Sequence, residues 1–167
     1  MNSQLNLQDF DTGADTVGFL YAVGAALLEY TEAAGDADMT LLNDAQHTLV
    51  ALCYLDSQVQ EGGFVQLIAQ GFGSYVFDNP VADSLRRWRI KPVPKILDKA
   101  VALYRKHGAD IERLASDGLP AETLRAQFAD FEELDADYYD AADEDLAAAA
   151  AYVREHWAEF ARTDKAV

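Results

Sequence analysis

The sequence predicts an all-α protein: a single compact domain of about seven to nine helices with short connections. Three observations carry this. Apolar residues recur at i, i+3, i+4 and i+7 along most of the 167 residues, the spacing of one helical face. Glycine and proline stand where these stretches break. No run of alternating β-branched residues is long enough for a sheet. The domain is expected to span 1–167, with 1–12 and 163–167 frayed.

A first long helix is expected between Asp15 and Ala34, buried along Val17, Leu20, Tyr21, Gly24, Leu27, Leu28 and Thr31, with Gly35 as its stop. Thr40 is read as the cap of a second helix, running to Leu55 or Val59 and buried along Leu42, Ala45, Leu49, Leu52, Cys53 and Leu55. Gly62-Gly63 breaks it, and a short helix follows from Phe64 to Gln70, ended by Gly71 and Gly73. Asn79-Pro80 places a cap and an N1 proline in the preferred order, opening a helix to about Trp88. Pro92 and Pro94 fit the first turn of the next, with Ile96, Leu97, Ala100, Val101, Leu103 and Tyr104 inside and His107-Gly108 at its end. Asp110–Ala115 reads as a separate short helix, and Pro120 starts another to about Phe128. The last helix is expected over about Glu144–Arg162, with Asp143, Glu144 and Asp145 in its first turn, where the helix dipole favours negative charge.

Charge is sorted along the chain. The first Lys or Arg is Arg86, and residues 1–85 hold twelve acids. Residues 86–113 reverse the balance, with nine bases against three acids; residues 114–167 hold fourteen acids and four bases. The net charge is −16. Such blocks predict surfaces of one sign, which steer partners of the other. The same charge argues against direct binding of nucleic acid or anionic membranes, since both are negative. No apolar run reaches the ~18 to 20 residues of a membrane span, and the N-terminus lacks a signal-peptide pattern. The lone Cys53 lies in an apolar stretch and reads as a buried small residue. Cytoplasmic localisation is the expectation.

The segment Gln58-Val59-Gln60-Glu61-Gly62-Gly63-Phe64-Val65-Gln66-Leu67 resembles the signature of a family of small bacterial helical proteins, roughly Glu-Val-x-Asn-Gly-Gly-Phe-x-Gln-Tyr. Val59, Gly62, Gly63, Phe64 and Gln66 keep its order, whereas Gln58, Glu61 and Leu67 depart from it. The similarity spans about Leu41 to Tyr104. With its acidity and its Tyr138-Tyr139-Asp140-Ala141-Ala142-Asp143-Glu144-Asp145 stretch, the chain resembles the neisserial DNA-mimic branch of that family. The resemblance implies a homodimer whose acidic surface imitates duplex DNA. It also implies occupation of the DNA site of a helix-turn-helix transcription factor, relieving repression.

Two acidic sets are candidate partner-binding residues. The denser is Asp130, Glu132, Glu133, Asp135, Asp137, Asp140, Asp143, Glu144 and Asp145: nine acids in sixteen residues with no base. The second comprises Asp15, Glu29, Glu32, Asp36 and Asp38, with Asp9 and Asp11 beside them. Carboxylates at i, i+3 and i+4 on a helix stand ~5 to 6 Å apart, a spacing comparable to neighbouring phosphates. Asp135, Asp137 and Asp140 are expected at the surface. The basic middle, Arg86, Arg87, Arg89, Lys91 and Lys95, is expected to pair with acids in the fold or across a dimer, with Trp88 and Tyr75 at the interface.

Other chemistry is set aside. Glu133, Asp135, Asp137 and Glu144 fall at positions 1, 3, 5 and 12 of a calcium-loop pattern, but Tyr138 stands where the loop requires Gly. His47, His107 and His156 form no metal-ligand spacing, and no phosphate loop or nucleophile motif is present. The chain is read as a non-enzyme without cofactor or metal. The alternative function is an acidic adaptor or immunity-type protein that covers a basic surface on a toxin or nuclease. A hydrolase using a carboxylate pair ranks behind both.

Overall fold

The computed structural model describes residues 4–11, 15–33 and 35–163. Among them are nine α-helices and two 3-10 turns, and no β-strand beyond an isolated bridge between Gln4 and Arg162. The all-α class is as the periodicity predicts. The helices are α1 (Leu7–Phe10), α2 (Thr16–Glu32), α3 (Asp44–Ala69), α4 (Gly73–Phe77), α5 (Val81–Arg87), α6 (Pro92–Ser116), α7 (Ala121–Gln127), α8 (Glu132–Glu155) and α9 (Trp157–Ala161). The chain divides into two compact units, Met1–Cys53 with Leu146–Val167, and Tyr54–Asp145. The expected fraying of residues 1–3, 12 and 164–167 lies outside the described residues.

In the first unit, Asp15 caps α2, accepting from the Gly18 N–H at 2.6 Å. The helix buries Phe19, Leu20, Val23, Gly24, Leu27 and Thr31. Gly24 lets α3 approach closely, because a Cβ there would meet Cys53 Sγ at 2.9 Å. The cap of α3 is not Thr40. Asn43 and Gln46 form a reciprocal capping box: the Gln46 N–H donates to Asn43 Oδ1 at 2.8 Å and the Asn43 N–H to Gln46 Oε1 at 2.9 Å. Gln46 Nε2 also donates to the Phe160 carbonyl at 3.0 Å, tying α3 to α9. Arg154 lies 4.3 Å from the centre of the Phe19 ring and pairs with Asp11 at 3.2 Å.

The second unit is built on α6. Its core includes Leu55, Val59, Phe64, Leu67, Ile68, Leu85, Leu97, Ile111, Phe131 and Tyr138. Phe64 meets Tyr138 edge-on, with ring centres 6.3 Å apart. Two boundaries differ from the sequence-based expectation. The α5 N-cap is Pro80 and not Asn79, whose side chain donates to the Tyr75 carbonyl at 2.8 Å. The helix from Pro92 does not stop at His107-Gly108; it runs through them to Ser116 and absorbs the expected 110–115 helix. His107 is therefore mid-helix, where it faces Asp130 at 3.0 Å. Trp88 is only 4% exposed and belongs to the core of this unit, which removes it from the expected interface.

The last helix departs most. α8 begins at Glu132, twelve residues before the expected start, and breaks at His156 before α9. Asp143, Glu144 and Asp145 are thus interior to a helix and not in its first turn.

Candidate partner-binding surface

Helix α8 sorts its acids by register. At ~100° per residue, Leu134, Tyr138 and Ala142 define an inward stripe, and all three are buried. Glu132, Glu133, Asp140, Asp143 and Glu144 fall on the opposite side and are exposed, with Asp137 half-buried at the edge. These six carboxylates lie within ~140° of arc and ~18 Å of axis, at 1.5 Å rise per residue. That is one charge per ~3 Å, close to the ~3.4 Å per phosphate along one DNA strand. No Lys or Arg occurs between Arg125 and Arg154 to neutralise them. Asp130, in the 3-10 turn before α8, is exposed and engaged by His107.

Two candidates are not on that surface. Asp135 and Asp145 are 4% and 7% exposed, which overturns the expectation that Asp135 is at the surface. They lie on the inward side of α8 with Tyr138 and Ala142, and each caps a distant helix. Asp135 Oδ1 accepts the Phe64 N–H at 2.8 Å. Asp145 Oδ2 accepts the Val93 N–H at 2.8 Å, in the first turn of α6, whose own N-cap Lys91 makes no side-chain capping bond. Burial pushes both carboxyls above the usual range; the N–H each accepts pulls the other way, as does Arg125 beside Asp135.

The Asp135 contact explains the glycine signature. Gly63 interrupts α3 with φ 80° and ψ −179°, a conformation open in practice only to glycine. A Cβ at Gly63 would also collide with the Asp135 carboxylate. The break frees the Phe64 N–H for Asp135, and the Val59 carbonyl accepts the Tyr139 hydroxyl at 2.8 Å. The Tyr138 hydroxyl donates to the buried Asp56 at 2.7 Å. Gly62-Gly63-Phe64 is thus a kink clasped by side chains from little more than one turn of α8, Asp135 to Tyr139.

The second acidic set belongs to the other unit. Asp15, Glu29, Glu32 and Asp36 are exposed and Asp38 is half-buried. Asp15 and Asp38 are partly occupied as caps, of α2 and of the turn at Met39–Leu41. Glu29 and Glu32, on the last turns of α2, and Asp36 after it have no cap role. The calcium-loop residues lie within continuous helix α8, which leaves no loop to fold round an ion. Among the described residues no group of three or more His, Cys, Asp or Glu side chains is placed to hold a metal. No helix among them is long and apolar enough to cross a membrane.

Two comparisons place the chain among known proteins. The sequence profile of the DMP19-like protein family matches residues 40–156. The DNA mimic protein DMP19 of Neisseria meningitidis serogroup B is 56% identical over 147 residues, covering 88% of this chain and 89% of the relative.

Proposed function

From a chain that belongs to the DMP19-like protein family, we propose a non-enzymatic DNA mimic that occupies the DNA site of a helix-turn-helix transcription factor and relieves its repression. It acts by binding a DNA-binding protein; nothing is turned over. The observation that carries this reading is the outer face of α8, where Glu132, Glu133, Asp140, Asp143 and Glu144 are exposed, with Asp137 half-buried at their edge and no base among them. A recognition helix that expects phosphates meets carboxylates at similar linear density, and its Lys and Arg side chains pair with either. Asp130, and Glu29 and Glu32 with their neighbours on the other unit, supply further negative potential that steers encounter. Asp135 and Asp145 contribute by holding the scaffold.

The working form is proposed to be a homodimer. A dimeric regulator spans two half-sites ~34 to 36 Å apart, and a two-fold copy of the acidic face suits that symmetry.

The test is competition. The protein is used to capture a DNA-binding regulator from the source cell's extract, and an operator fragment is then titrated against the complex. Mutually exclusive binding is the expected result. A ternary complex of protein, regulator and DNA would sink the mimic and leave an adaptor that covers some other basic surface.

A further inference from the structure

We propose that the cavity at the junction of α5 and α6 binds a small phosphate-bearing anion of the pyrophosphate type. The cavity, about 430 Å³, is lined by Arg86, Arg89, Ile90, Lys91 and Lys95. Four cations on one cavity is unexpected in a chain of net charge −16. The basic middle is expected to pair with acids in the fold or across a dimer; within the single chain only part of it does so among the described residues. Arg86 is engaged by Asp83 and Asp98, and Arg113 by Asp110 and Asp117. Arg89, Lys91 and Lys95 are exposed, and none is paired with a carboxylate among the described residues.

The backbone at Arg89 points the same way. Helix α5 ends in a Schellman motif: the Ile90 N–H bonds the Leu85 carbonyl at 3.1 Å and the Arg89 N–H bonds that of Arg86 at 3.0 Å. The residue at the turn must be left-handed, and Arg89 has φ 66°, the one positive φ among the described non-glycine residues. The chain builds the same motif twice more. Phe72 bonds Leu67 and Gly71 bonds Ile68 at the end of α3; Leu119 bonds Leu114 and Gly118 bonds Ala115 at the end of α6. In both, the left-handed position is glycine, with φ 91° and 94°. Among the described residues, an arginine bears the strain that glycine relieves elsewhere at this one position, on the lining of the basic cavity. Its side chain therefore has a use that its backbone does not repay.

The ligand class follows from the donors. One guanidinium fork and two ammonium groups suit an anion with several oxygens and more than one charge. A carboxylate would neutralise one of the three cations and leave the others. Recognition rests on side chains, because Asp145 already takes the Val93 N–H of the first turn of α6. The cavity uses none of the acids of α8's outer face, so it stands or falls independently of the mimic reading.

The test is an amide-resolved NMR titration of the full chain with sodium pyrophosphate, against sodium chloride at matched ionic strength. Saturable shifts confined to residues near 86–95 are expected with pyrophosphate alone. Affinity should drop at least about fivefold, about 1 kcal/mol, in K91Q/K95Q and in R89G. R89G should also melt above wild type in the absence of pyrophosphate, since glycine removes the strain. The proposal is overturned by shifts no different from chloride or by K91Q/K95Q binding as wild type. It is equally overturned by an R89G that melts lower, or by a response to an oligonucleotide duplex but not to pyrophosphate.

Discussion

Asp135 has every surface attribute in the sequence and none in the structure. It sits in the densest acidic run, yet it is buried and accepts the Phe64 N–H across 71 residues. Removing its acceptor leaves a buried donor unpaired, so Asp135→Ala should lower stability by ~1 to 3 kcal/mol, read by urea denaturation. Asp135→Asn keeps an acceptor oxygen and removes the charge, and should stay near wild type at pH 7. An alanine variant as stable as the asparagine variant would contradict the capping role. The pH dependence has a definite sign. Burial raises the folded-state carboxyls of Asp135 and Asp145 above the unfolded value of ~3.9. The folded state then holds their protons more tightly than the unfolded state does. The stability these two contribute is full below ~3.9 and is lost as pH rises through their raised values. D135N/D145N should flatten that component of the pH–stability profile; an unchanged slope above pH 4 would argue against it.

At the scale of the element, α8 has two faces with two different tasks. Its inward stripe of Leu134, Tyr138 and Ala142, with Asp145 within it and Asp135 at its edge, packs and caps. Its outward face gathers like charges that repel one another. Replacing Glu132, Glu133, Asp140, Asp143 and Glu144 together by Gln or Asn should therefore leave melting temperature level or raise it, while partner binding weakens. A change of three acids outside α8, Asp83, Asp110 and Glu112, is the control and should matter less per charge removed. Equal binding by the α8 variant and wild type in a competition assay would reduce this face to a solvated surface. The two faces are legible in the sequence only once the helix start is known. With a start near Glu144, the acids before it have no register; with a start at Glu132, Leu134, Tyr138, Ala142 and Leu146 recur at i+4 and assign them.

For the whole molecule, the sorted charge makes association sensitive to salt. The Debye length falls from ~10 Å at 0.1 M to ~3 Å at 1 M, so affinity for a DNA-binding partner should fall as ionic strength rises. The slope need not match that of DNA, since a folded protein lacks its condensed counterion layer. Constant affinity from ~50 to ~500 mM salt, a range over which phosphate-like contacts respond strongly, would point to an apolar interface. Assembly is checked by light scattering: a dimer at micromolar concentration is expected, and a monomer throughout would remove the two-fold match to a dimeric regulator.

What the sequence determined by itself was local or summed. Helical class follows from i, i+3, i+4 spacing, since burial of a stripe is decided within a few turns. The excess of acid, its blocks and the Val59, Gly62, Gly63, Phe64 and Gln66 signature are likewise written in composition and order. The tertiary structure decided which acids face inward and why the glycines are there. Asp135 meets Phe64, and Asp145 meets Val93, at separations of 71 and 52 residues. A cap supplied from a remote helix leaves no pattern near the helix it caps, because the donor N–H is satisfied by packing geometry and not by a neighbouring side chain. Arg89 is a local case: its turn is closed by hydrogen bonds within residues 85–90, yet only the structure shows that an arginine and not a glycine takes the left-handed position there.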